Sequence, residues 1–308
     1  MSEAGFPAVD LQKILSVEQL PGMPQTAVRL VEIARDESSG PAEFAVPIES
    51  DPGLTVQVLR FVNSSYFGFR SRISNVKQAI TLVGVRTIKN FAMWNAIFSA
   101  IPNPRCGLFD LKALWQDSLR RALFARTLSR QLGVPEAEET FAAGLLQDMA
   151  VPLLARKVPD AYNRLFEARR ASNHRARLSR LEEHVFGWTH AEAAGVVARE
   201  WHLPETLSAL IQDHLSLEQH LSQSNVDLGK LAVAMSALLP AIDDRDWSEF
   251  PRLEAAYEQI RPLDGPPIEE VLRRVDAEFS DMAPLLRIAP PQTSLAEKCQ
   301  EVVAAAKG

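Results

Sequence analysis

Apolar side chains recur every third or fourth residue along almost the whole 308-residue chain, and the interruptions carry residues that start and stop helices. Asp51-Pro52 sets a carboxylate able to cap free amides before a proline whose missing N–H costs nothing in a first turn. The following LTVQVLRFVNSSYF predicts a helix to about Phe67. Asn75 and Gln78 have capping-box spacing for the next helix, which Gly84 ends. Asp110 opens a long helix that finishes before Gly133, with Leu111, Leu114, Trp115, Ala122 and Ala125 on its inner face. Pro135 opens another, with three glutamates in its first turns, where the helix dipole favours them, and Gln147-Asp148 near its middle. Thr189 and Glu192 form a capping box that sets His190 in the first turn of a helix ending near Trp201, and Pro204 starts one carrying His214. No β-branched run alternates long enough to make a sheet, so the fold class is all-α.

Two seams divide the pattern. IPNPRCGLF, residues 101–109, holds two prolines and a glycine, and HLSQSNVD, residues 220–227, is mostly polar. They give an N-terminal helical subdomain over 10–100, a second helical subdomain over 110–219 and a helical appendage over 225–308. The breaks PAIDDRDW, RPLDGPP and APPQTS predict a looser appendage. Hydrophobic residues at 46% supply a sizeable core, and a net charge of −6 excludes a protein that coats nucleic acid over its whole surface. Cys106 and Cys299 lie far apart without ligand spacing, which suits a reducing compartment. There is no basic segment followed by an apolar run at the start and no uncharged stretch of 18 apolar residues, so a cytoplasmic protein without a membrane span is expected. The dispersed glycines form no phosphate loop, and nothing fixes a histidine beside Cys106 or a serine for nucleophilic catalysis.

The chemistry concentrates in GLLQDMA, residues 144–150. An adjacent His-Asp pair is a common way to hold a divalent metal, and here the pair reads Gln147-Asp148, an amide in place of the stronger imidazole donor. The same register runs through LPGMPQTAVRLVEIARD (20–36), DPGLTVQVLRFVNSSYFG (51–68), ISNVKQAITLVGVRTIKNF (73–91), LWQDSLRRALFARTLS (114–129), GLLQDMAVPLL (144–154), FGWTHAEAAGVVAREWHLP (186–204) and IQDH (211–214). With these seven blocks the chain resembles the HDOD family, degenerate relatives of the HD-domain metal phosphohydrolases, over roughly residues 10 to 215. The resemblance implies an HDOD-type helical bundle, in which an N-terminal helical subdomain packs on a degenerate HD-like one. It also implies a bacterial signal-transduction regulator or adaptor acting through protein contacts, with response regulators, kinases or cyclic-dinucleotide enzymes as partners. It does not imply catalysis.

By motif register the positions of the degenerate site are Asp117, Gln147, Asp148, His190, His214 and Leu215, and LAVAMSALL (231–239) offers no closing aspartate. Asp117, Asp148, His190 and His214 remain as two carboxylates and two imidazoles. They are expected to form a hydrogen-bonded polar knot rather than a catalytic centre, with no cofactor. The alternative is a metal-dependent phosphohydrolase or phosphodiesterase in which those four residues weakly hold a divalent metal. The most basic stretch, 164–180, carries Arg164, Arg169, Arg170, Arg175, Arg177 and Arg180. It reads as a solvated or protein-contacting face, with phosphate binding the sharper alternative and nucleic acid not expected, since Phe166 is the lone aromatic there. His184, beside Glu182 and Glu183, reads as a surface residue, while His174, His202 and His220 are given no role. Tyr66, Phe67 and Phe69 are expected between the two bundles, and the run 92–101 in the core.

Overall fold

A computed structural model of the protein describes residues 10–15, 20–35, 39–64, 67–101, 103–173, 175–284 and 288–307. Among the described residues every regular element is a helix, and no helix is long and apolar enough to cross a membrane. The N-terminal group comprises α1 (Leu11–Ile14), α2 (Gln25–Arg35), α3 (Pro41–Glu49), α4 (Pro52–Val62), α5 (Val76–Val83) and α6 (Val85–Ala100). Asp51 caps α4 by accepting from Leu54 N at 3.0 Å, and Asn75 caps α5 by accepting from Gln78 N at 2.8 Å. Gly84, at φ +96°, turns the chain from α5 into α6.

The helix predicted to reach Phe67 stops at Val62. The Asn63 side chain takes over there, donating to Leu59 O at 2.7 Å and Ile73 O at 2.8 Å and accepting from Ile73 N at 2.7 Å. Its amide satisfies the last turn and staples the next segment. Phe67 then lies edge-on to Phe61 at 5.0 Å within the N-terminal group, and Phe69 is 37% exposed, so neither packs between the bundles. Tyr66, Ser65, Pro102 and His174 lie outside the described residues. The run 92–101 is core as expected, with Ala92, Met93, Trp94, Ile97 and Phe98 buried on α6.

The second group is built on α7 (Leu111–Gln131), capped by Asp110, followed by α8 (Ala137–Leu146), α9 (Ala150–Lys157), α10 (Pro159–Ala171), α11 (Leu178–Phe186), α12 (His190–Glu200), α13 (Glu205–Gln212) and α14 (Leu217–Leu221). On α7, Leu111, Ala122 and Ala125 are buried, while Leu114 and Trp115 are half-buried. The α7 and α8 backbones meet at Gly144, where an added Cβ would lie 2.7 Å from Ala122 Cα. A stack of rings joins the two groups: Phe61 on Phe91 at 4.1 Å, then Trp94, Phe98 and finally Trp115 of α7 at 5.7 Å from Phe98. Full burial of each such side chain contributes about 2–3 kcal/mol.

The C-terminal region contains α15 (Leu228–Ser236), α16 (Phe250–Ile260), α17 (Ile268–Met282) and α18 (Leu295–Lys307). It is not a loose appendage. α15 packs on α7 and α8, burying Leu231, Ala232, Val233 and Met235, and α17 packs along α7. Arg126 of α7, with no exposed surface, donates to Glu278 of α17 at 2.7 Å and lies 4.4 Å from the Phe141 ring centre. Arg120, also buried, donates to Thr293 O at 2.9 Å.

Candidate functional site: a buried carboxylate between two imidazoles

Gln147-Asp148 does not sit in mid-helix. Residues 147–149 form a turn between α8 and α9, with Met149 N donating to Leu146 O and Val151 N to Asp148 O. Pro152 accounts for the break, because it has no N–H to give the carbonyl four residues back, and its ring crowds that carbonyl. The turn aims the Asp148 side chain into the bundle, where it is 6% exposed. His214 likewise lies beyond its helix: α13 ends at Gln212, and His214 Nδ1 reaches Ile211 O at 2.7 Å, which satisfies an end carbonyl. His190 takes the first position of α12 as expected, with Thr189 N donating to Glu192 at 2.8 Å in the capping box.

Three of the predicted residues converge. His190 Nε2 is 3.3 Å and His214 Nε2 3.9 Å from the same oxygen, Asp148 Oδ1. Donor atoms of Asp148, His190 and His214 all lie within 4.8 Å of one another. Asp117 does not join that group. It lines the same cleft, accepting from Ile242 N at 2.8 Å, and Leu215 lines it beside His214. Gln147 is buried behind Asp148 against Ser236, whose hydroxyl is 3.2 Å from Gln147 Oε1 and 2.6 Å from Val233 O. One hydroxyl proton serves one acceptor. With the Gln147 amide turned over, Nε2 donates to Ser236 Oγ, and the hydroxyl donates to Val233 O.

Two residues of the site went unnoticed in the sequence reading. Arg121 of α7 donates from Nη1 to Asp148 Oδ2, so a guanidinium occupies the carboxylate's second oxygen. Glu182, two residues before the exposed His184, is fully buried. Its Oε2 accepts from His190 N at 2.8 Å and meets His190 Nδ1 at 2.6 Å, while Oε1 accepts from the Tyr162 hydroxyl at 2.7 Å. The signals were present: Arg121 is one turn from Asp117 on α7, and Glu182 shares a stripe with Leu178, Leu181 and Val185. His184, on the same helix, is exposed as expected.

The electrostatics follow from these contacts. Burial alone would raise the Asp148 pKa, but the Arg121 guanidinium and the His190 hydrogen bond hold it well below the usual carboxylate range. Burial opposes charge on His190 too, yet Glu182 on one nitrogen and Asp148 on the other raise it to about 10. His214 is lowered to about 3 by burial, which the Asp148 charge does not offset, so it is neutral with Nδ1–H donating to Ile211 O. Its Nε2 lone pair has no hydrogen-bond partner among the described residues. Asp117 is pushed up to about 7 by burial, with Arg121 and Arg120 opposing.

The basic stretch divides. Arg169, Arg175 and Arg177 line the cleft above this cluster, whereas Arg164, Arg170 and Arg180 are exposed and outside its lining. His220 is buried on α14 and His202 exposed, neither in the cleft.

The HDOD domain family matches residues 20–217. An uncharacterized protein of Treponema pallidum (strain Nichols) is 22% identical over 256 residues, 79% of this chain and 47% of that protein. The uncharacterized protein YuxH of Bacillus subtilis (strain 168) is 30% identical over 118 residues, 38% of this chain and 28% of that protein. The chain thus spans about half or less of the length of the curated relatives it matches. Among solved structures, a candidate phosphohydrolase from Shewanella amazonensis SB2B superposes with TM-score 0.69 at 21% identity, covering 91% of this chain and 98% of that one. A candidate signal transduction protein from Marinobacter aquaeolei VT8 gives 0.67 at 21% identity over 92% of this chain and 63% of that one. An HDOD domain protein of unknown function from Geobacter sulfurreducens gives 0.59 at 20% identity over 97% and 95%. These structures share the all-helical architecture, and the match across 20–217 makes this chain a member of the HDOD domain family.

Proposed function

We propose that the chain is a non-catalytic signalling regulator, an adaptor that works by binding other proteins, with its HD-type site converted into a self-neutralised polar knot. The observation that carries this reading is Arg121 on Asp148: the carboxylate facing two imidazoles already has a cation supplied by the chain. Gln147, in place of a stronger ligand, is held against Ser236 by one hydrogen bond. A buried charge so paired and hydrogen-bonded stays ionised without an outside cation. The Marinobacter neighbour, named for signal transduction, supports a signalling role, and response regulators, kinases or cyclic-dinucleotide enzymes are the partners to try in a cytoplasmic setting.

A second reading, a metal-dependent phosphohydrolase, is favoured by a different observation. The unbonded Nε2 of His214 and the Glu182 carboxylate behind His190 are arranged as around metal-binding histidines, where a carboxylate fixes the ring. The residues fit one ion, with Asp148, His190 and His214 as donors, and do not complete a second. A divalent ion would supply Lewis acidity there. The chain's own part would be to present the three donors and keep His190 oriented through Glu182.

Metal content of purified protein by mass spectrometry, before and after manganese loading, separates the readings when paired with a phosphodiester assay. The adaptor reading expects neither stoichiometric metal nor turnover. Metal and turnover that both disappear in Asp148→Ala would establish the hydrolase.

A further inference from the structure

The acidic segment 240–249, between α15 and α16, lies along the wall of the cleft facing the arginines. Its carboxylates are already engaged with them. Arg169 meets Asp243 at 3.4 Å and also pairs with Asp244, Arg175 meets Asp246 at 3.2 Å, and Arg177 meets Glu249 at 3.6 Å. The segment is anchored by Ile242 N donating to Asp117 and by Trp247, 3% exposed, whose Nε1 donates to Leu238 O at 2.8 Å. From α18, Lys298 donates to the Asp244 carbonyl.

We propose that Arg121, Arg169, Arg175 and Arg177 form a binding site for a small phosphate-bearing ligand, and that the acidic strap fills this site as an internal stand-in for the phosphate.

The chemistry is shared, since a guanidinium fork accepts carboxylate and phosphate oxygens with the same geometry. With the strap in place, the lining carries more carboxylates than arginines and repels an anion. With its carboxylate side chains swung aside and its backbone still anchored, four arginines face Asp110, Asp117 and Asp148. Displacement is cheap at the outer end, where Arg175 and Asp246 are 70% and 56% exposed and the pair is screened by solvent. Phe166, the aromatic beside the arginines, is taken up by Phe109 and Tyr162, each at 5.7 Å, so no free ring is offered to a base.

The inference does not depend on whether the knot beneath holds a metal, and its test is run with a chelator present. Titration calorimetry of the full chain with inorganic pyrophosphate at low salt compares the wild type with three variants. The wild type is expected to bind weakly. Asp243→Asn with Asp244→Asn should tighten binding at least tenfold, Asp246→Asn several-fold, and Arg169→Gln with Arg175→Gln should weaken it at least tenfold. Circular dichroism checks each fold; should the double Asp variant not fold, the exposed Asp246→Asn decides. No binding to any folded variant at millimolar pyrophosphate, or binding unaltered by the Asp and Arg substitutions, overturns the proposal.

Discussion

At Glu182 one carboxylate holds α10, α11 and α12 together through Tyr162, its own helix and His190. Replacing it with alanine leaves a buried imidazolium and a buried hydroxyl short of a partner. Glu182→Ala should lower the unfolding free energy by about 3 kcal/mol in urea titrations, as breaking one side of a buried pair does. Asp117 has a different signature. Its pKa is raised in the fold from the ordinary 3.8 to about 7, so its contribution to stability is full below pH about 4 and is lost as the pH rises through about 7. Asp117→Asn keeps the oxygen that accepts from Ile242 N and has no proton to lose. Its unfolding free energy, followed from pH 4 to 8, should fall less than that of the wild type; parallel curves would show that burial does not govern Asp117.

Among the elements, the α7–α8 contact is the tightest test of packing. A methyl at Gly144 would meet backbone atoms of Ala122, which have no rotamer to escape into, so Gly144→Ala should cost about 1–3 kcal/mol in chemical denaturation. Helix starts were legible in the sequence because caps are local: Asp51, Asn75, Asp110 and Thr189 all act where the pattern put them. Two ends near the site were misplaced for a shared reason. The apolar pattern runs through Gln147 and up to His214, while backbone bonding stops earlier, at a proline in one case and at a side chain bonding its own helix end in the other. The imidazoles and Asp148 were legible from motif spacing. Arg121 and Glu182 were not singled out, because charged residues on helices usually face water, and their burial is decided by what packs over them.

For the whole molecule, the seam at 220–227 is a break in the pattern that does not separate the cores. α15 beyond it supplies Leu231, Val233 and Met235, all without exposed surface, to the packing on α7 and α8. A chain ending at residue 224 should therefore show no sharp thermal transition by circular dichroism; a cooperative melt would mark the region beyond as a separate folding unit. The same interlocking sets what the site can sense. Histidine is the usual route by which a protein reads acidity, since its charge ordinarily changes near neutral pH. Here His190 keeps its proton up to about pH 10 and His214 refuses one down to about pH 3. Both rings are silent across the range a cell visits. A message carried by protons would enter this cleft through Asp117, on the side held by the strap, and would leave the two histidines unchanged.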